Sequence, residues 1–218
     1  MTKFKPTSQY GQDEFAYRIL GDRRDGTFLD IGSGWAHRDS NTSSLESIGW
    51  NGVCLDSGKD GTYNEAEWSL RKARLLRKDA LDIKLTDIAD ISRGGVIDYL
   101  SLDVDESSLE ALKILMTEVG GAITFAAITI EHDQYRFGND IRDGQREILS
   151  RAGYEVLCPS VFPSEHWRHI VWEDWWVMPR LVAPGLKESV RGMNDASRIL
   201  DALRKKSEEI ACAACDPC

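Results

Sequence analysis

One unit recurs along this chain and limits what it can become: a short apolar run that closes on or near a carboxylate, followed by a stretch with helical signals. The runs cover 27–31, 51–56, 73–79, 96–103 and 125–131, and their acids, Asp30, Asp56, Asp79, Asp103 and Glu131, stand 23 to 28 residues apart. Between them, Ser40, Asn41 and Thr42 can cap a helix through Leu45 and Ile48 that Gly49 stops. After Ser107, the residues Leu109, Leu112, Leu115 and Met116 line one helical face that ends at Gly120 and Gly121. A third helical stretch, 141–152, stops at Gly153. Strands alternating with helices of this length predict a doubly wound, Rossmann-like α/β domain with right-handed crossovers. Such sheets bind ligands beyond the carboxyl ends of their strands, where these acids fall.

After Gly153 the pattern changes. Runs at 154–158 and 169–178, joined by a loop holding Pro159 and Pro163, read as an antiparallel pair closing one edge of a mostly parallel sheet. Residues 194–211 form an amphipathic helix through Ile199, Leu200, Leu203 and Ile210, for packing on the domain or on a partner. The expected division is one domain over 1–180 and a helical extension over 181–218. A length of 218 residues suits a single α/β core.

The formal charge of −9 excludes a phosphate-coating surface, so no nucleic-acid partner is expected. No run approaches the roughly 20 apolar residues that span a bilayer, and the first residues lack the apolar stretch of a signal peptide. A cytoplasmic protein without a membrane partner is expected, and a homo-oligomer stays open. Cys54 and Cys158 read as small core residues, whereas Cys212, Cys215 and Cys218 make a metal site lacking its fourth ligand and read as an inert tail. The basic cluster Arg71, Lys72, Arg74, Arg77 and Lys78 reads as a solvated helix end.

Gly32, Ser33 and Gly34 directly follow the first run, a tight turn that lets a ligand approach backbone N–H groups. Asp56 can accept both ribose hydroxyls of a nucleoside, with Ser57 beside it, and Asp79, followed by Ala80, is placed for an adenine amino group. A dinucleotide fingerprint needs a third glycine where this chain has His37. Asp30 suits the ammonium of a methionine moiety and repels a diphosphate. S-adenosylmethionine is therefore preferred to a nicotinamide cofactor.

These residues resemble a known family. Residues 8–15, 26–32, Ser40 to Thr42, Leu45 and Glu46, 49–52, 98–105, 128–132 and 173–177 look like FkbM-type S-adenosylmethionine-dependent methyltransferases, in the family's order and over about residues 8 to 180. The resemblance implies a class I methyltransferase fold of seven strands in the order 3-2-1-4-5-7-6, acting mostly as O-methyltransferases on sugars or natural products. It also implies that an N-terminal segment holding Tyr10 and Gln12 closes over the donor, with Asn41 beside it. The chain departs from the family at Trp35, Ala36 and His37, where a small residue and a glycine are usual. It has Asp56 and Ser57 in place of Glu-Pro, and Asp105 and Glu106 in place of Glu-Gly.

Methyl transfer to oxygen is an in-line displacement that needs positioning and a place for the hydroxyl proton. Asp103, Glu131 and His132 end neighbouring runs and could ligate Mg²⁺ or Mn²⁺, a placement that resemblance to metal-dependent sugar methyltransferases supports. Alternatively His132 is the general base. His37 competes for that role, although a surface or helix-capping position suits it better. Trp167 and Trp175, with Asp174 near them, are candidate contacts for a hydroxylated acceptor such as a sugar, while Trp172 and Trp176 read as core. Two other readings stand: a nicotinamide-dependent oxidoreductase, and a non-catalytic cofactor-binding regulator that docks through its C-terminal helix.

Overall fold

The computed structural model describes residues 4–59, 61 and 63–215. Its strands are β1 (Thr27–Ile31), β2 (Asn51–Asp56), β3 (Arg74–Arg77), β4 (Val96–Leu102), β5 (Thr124–Glu131), β6 (Glu155–Val161) and β7 (Glu173–Val177). Its helices are α1 (Gln12–Ile19), α2 (Ser43–Ser47), α3 (Glu65–Trp68), α4 (Ser108–Val119), α5 (Gln134–Phe137), α6 (Asp140–Arg151), α7 (Pro184–Val190) and α8 (Ala196–Cys215). One seven-stranded sheet runs β3-β2-β1-β4-β5-β7-β6. β7 lies between β5 and β6 and is antiparallel to both, while β1 to β5 are parallel. The parallel core and antiparallel closing pair are those the sequence predicts.

Strand alternation divides the interior in two. Phe28, Cys54, Tyr99, Ala127, Trp175 and Val177 face a layer built from α1, α2, α7 and α8. Leu29, Ile31, Leu55, Leu100, Ile128 and Trp176 face the opposite layer, which includes Leu112 and Leu115 of α4 and Leu149 of α6. Gly120 ends α4 in the left-handed conformation, as its position predicts.

The differences from the sequence reading lie where polar residues are buried. Asp13, in α1, accepts from the Thr7 and Ser8 backbone N–H groups and from the Ser44 hydroxyl, and Glu14 pairs with Arg204 of α8. The apolar set of α1 (Phe15, Ala16, Ile19) is too short to announce a helix by period alone. Gly11 precedes it at φ +88, and a Cβ there would stand 2.2 Å from Leu200. α8 packs on the domain, one of the two placements the sequence leaves open: Ile199, Leu200 and Leu203 join the core cluster of Phe15 and Trp175. Arg71 is no solvated helix end; it is buried. Cys54 and Cys158 are buried as expected, and burial pushes both thiols up. Cys212 is exposed; the side chain of Cys215 and all of Cys218 lie outside the described residues. Among the described residues no helix is long and apolar enough to cross a membrane.

Candidate functional site

The carboxyl ends of β1, β2, β4 and β5 open onto two neighbouring clefts. The larger encloses about 940 Å³ including its mouth and is lined by Gly32, Asp56, Ser57, Asp79, Ala80 and Asp103, among others. The smaller, about 310 Å³ including the open solvent at its mouth, is lined by Tyr10, Gln12, Asn41, Ser101, Asp103, Thr129, Glu131, Trp172 and Glu173. Asp103 borders both.

Gly32 adopts φ +80, and a Cβ at that position would stand 1.6 Å from the Asp103 carbonyl oxygen. Only glycine lets the turn pass so close to the end of β4. The Asp56 carboxylate clamps the turn by accepting the Gly34 N–H at 2.8 Å and the Gly58 N–H at 2.5 Å. Each of its oxygens keeps a second lone pair for a ligand hydroxyl. The Ser33 hydroxyl in the same turn is buried without a partner among the described residues and lines neither cleft. Asp79 accepts from Lys59 Nζ at 2.8 Å and from the Leu81 N–H, and both lower its pKa.

Asp30 lines neither cleft. It lies sealed beneath the turn, 1 % exposed, and accepts the Thr42 hydroxyl at 2.7 Å. Burial pushes it up to about 6, while Thr42 and the charge of Arg71 oppose the rise. Asn41 reaches the smaller cleft and donates to Ser101 Oγ at 3.0 Å. Gln12 there accepts the Tyr10 backbone N–H at 3.0 Å.

The carboxyl groups of Asp103 and Glu131 hydrogen-bond to each other, and burial raises both, together with repulsion from Asp133. The residue Asp103 is exposed, yet desolvation and the charges of Asp105 and Asp133 disfavour its ionised form. Such a pair holds one proton in common. Glu173 stands opposite Glu131 in the β5–β7 pairing. Burial pushes it up to about 8, with the charge of Asp103 adding to the rise and the Gln12 amide opposing it. A carboxyl whose folded pKa lies above its ordinary 4.5 costs stability as pH climbs from that value toward 8, because the folded state holds the extra proton. Glu173→Gln is therefore expected to match the wild type in thermal unfolding at about pH 4 and to melt about 5 °C higher at about pH 9. Equal melting temperatures at high pH would show that Glu173 is not held protonated.

Residues Glu131 and His132 are consecutive in an extended segment, so they point to opposite faces. His132 is fully buried on the α6 side; its Nδ1 accepts the Gln134 N–H at 3.3 Å and its Nε2 lies 3.6 Å from Asp174 Oδ1. The expected metal trio of Asp103, Glu131 and His132 does not form, and among the described residues no group of three His, Cys, Asp or Glu side chains could hold an ion. Nor can His132 reach an acceptor in the clefts. His37 is exposed, bonded to Ser43 Oγ at 2.9 Å, and borders neither cleft.

The expected acceptor contacts are redistributed as well. Trp175 is fully buried against Phe15 at 4.6 Å, and Asp174 is buried in a two-pronged pair with Arg146. Trp167 is exposed, next to His166 and away from both clefts. Trp172, read as core, instead lines the smaller cleft and packs on Tyr10 at 4.2 Å. Trp176 is core, as expected. Ser101, Thr129 and Glu173 also line the smaller cleft, beyond the residues the sequence predicts for the site. A signal existed: Asp30, Ser101 and Thr129 are adjacent in register, a polar row one turn of pleat before the apolar strands end.

No family model matches the chain, and no curated protein matches it. Solved structures do. A candidate hemolysin from Lactococcus lactis is similar at 17% identity, covering 94% of this chain and 100% of its own, with a TM-score of 0.51. A candidate methyltransferase from Thermobifida fusca is similar at 13% identity, covering 76% of this chain and 78% of its own, with a TM-score of 0.50. At such identities the likeness speaks for architecture. Together with the strand order, it shows that the chain has the Rossmann-like class I methyltransferase fold.

Proposed function

We propose that this chain is an S-adenosylmethionine-dependent methyltransferase that methylates oxygen on a hydroxylated small molecule such as a sugar. The observation that carries the reading is the meeting of two clefts at Asp103. The larger offers a nucleoside its glycine turn and the acids Asp56 and Asp79. The smaller adds carboxyl groups and an aromatic wall where an acceptor would lie. Resemblance to FkbM-type sequences supports the donor and the oxygen acceptor.

When bound, S-adenosylmethionine supplies a methyl group made electrophilic by its sulfonium charge. Asp103 and Glu131 offset that charge from the junction of the clefts. The raised affinity of the Asp103 and Glu131 pair for protons suits it to take up the hydroxyl proton of the acceptor. Trp172 and Tyr10 give the acceptor an apolar face and exclude water. His132, His37 and a divalent cation have no part in this scheme.

The nicotinamide reading meets a structural obstacle. A diphosphate needs a helix N-terminus at the glycine turn, but the chain runs from Gly34 to Ser43 before the five-residue α2 begins. Calorimetry is expected to give one site for S-adenosylmethionine and for S-adenosylhomocysteine and no heat with NAD. Label from methyl-labelled donor is then expected on the oxygen of a sugar or glycoside acceptor. Binding of NAD alone, or of no donor at all, would refute the proposal.

A further inference from the structure

Arg71 is a fully buried arginine that touches neither cleft. Its Nε donates to Glu46 Oε2 at 3.0 Å, and Nη1 donates to the Ala36 carbonyl at 2.5 Å and to Ser40 Oγ at 3.3 Å. Nη2 donates to Thr42 Oγ1 at 3.1 Å, and the guanidinium lies over the Trp68 ring at 5.3 Å. Glu46 is fixed in turn by the backbone N–H groups of Lys72 and Ala73. A buried ion pair is a poor source of net stability, since apolar side chains of like volume hold a core at least as well. What apolar residues cannot do is fix a backbone carbonyl and two hydroxyls in one plane.

Those hydroxyls belong to Ser40 and Thr42, the two neighbours of Asn41. Thr42 passes the restraint on by donating to Asp30 under the glycine turn. Asn41, gripped from both sides, extends toward Ser101 into the cleft it shares with Gln12 and Asp103. If the nucleoside end of the donor occupies the Asp56–Asp79 cleft, its amino-acid end falls beside Asn41.

We infer that Arg71 is a positioning residue for the amino-acid end of the donor, acting through Ser40 and Thr42 on Asn41; the inference rests on the donor assignment above. A ligand pair separates this role from a general support of the fold. S-adenosylhomocysteine carries the amino-acid end, and 5′-methylthioadenosine keeps the nucleoside but lacks it.

The experiment titrates wild type, Arg71→Lys and Thr42→Val with both ligands. Thr42→Val removes the hydroxyl bridge at nearly unchanged shape, and it keeps the test decisive should Arg71→Lys fail to fold. Both variants are expected to bind S-adenosylhomocysteine about tenfold more weakly, the scale of one charge-assisted hydrogen bond, with 5′-methylthioadenosine within about twofold of wild type. Equal weakening of both ligands, or no weakening of either, overturns the inference. Wild-type protein that binds neither ligand overturns the donor assignment itself, a result distinguishable from the others.

Discussion

Asp56→Ala is expected to weaken S-adenosylhomocysteine binding by about 100-fold, the scale of two lost hydrogen bonds to a charged group. The carboxylate has two tasks. It offers lone pairs to ligand hydroxyls, and it anchors the Gly34 and Gly58 N–H groups that shape the turn. Alanine removes both, whereas Asp56→Asn keeps one acceptor oxygen and is expected to lose only about tenfold. Calorimetry on folded protein, with circular dichroism to confirm the fold, reads the difference. Wild-type affinity in Asp56→Ala would remove the larger cleft from consideration as the nucleoside site.

The second large effect is on stability. Asp174→Ala is expected to lower the unfolding free energy by about 2–3 kcal/mol at neutral pH, because it leaves the half-buried Arg146 and the Ser160 N–H without their carboxylate. Asp174 holds Arg146 through both oxygens at 2.7 and 2.8 Å and accepts the Ser160 N–H at 2.6 Å. Burial acts to raise its pKa, but Arg146 and the contact with His132 outweigh it and hold the group at about 2. A carboxyl depressed below its ordinary 3.8 lends stability above that value and loses it as pH falls through about 2. Urea unfolding should therefore show a wild-type stability loss of ~2 kcal/mol between those limits that is missing from the variant. Matching acid profiles would mean that the pair contributes nothing to acid sensitivity.

Much of the architecture was readable because strand period and helix period are local properties of a chain. The runs at 27–31 and 51–56 match β1 and β2 residue for residue, and the run at 96–103 exceeds β4 only by Asp103. The short, polar α1 was not readable, since its buried acids are satisfied by Thr7, Ser44 and Arg204, residues up to 190 positions away. Arg71 misled for a related reason. A basic residue in a basic run looks solvated until Glu46, Ala36 and Thr42 are seen to enclose it.

The sequence alone determined which residues end the strands, and thereby placed Asp56, Asp79, Asp103 and Glu131 along one rim. It could not determine what each strand-end side chain would meet, because that depends on what the opposite layer supplies. Arg146 of α6 stands on the far face to hold Asp174, with His132 packed beside it. Packing also drew Trp172 toward Tyr10 and aligned Glu173 with Glu131. Strand register and the partners a side chain finds are long-range properties, and only the assembled layers decided them.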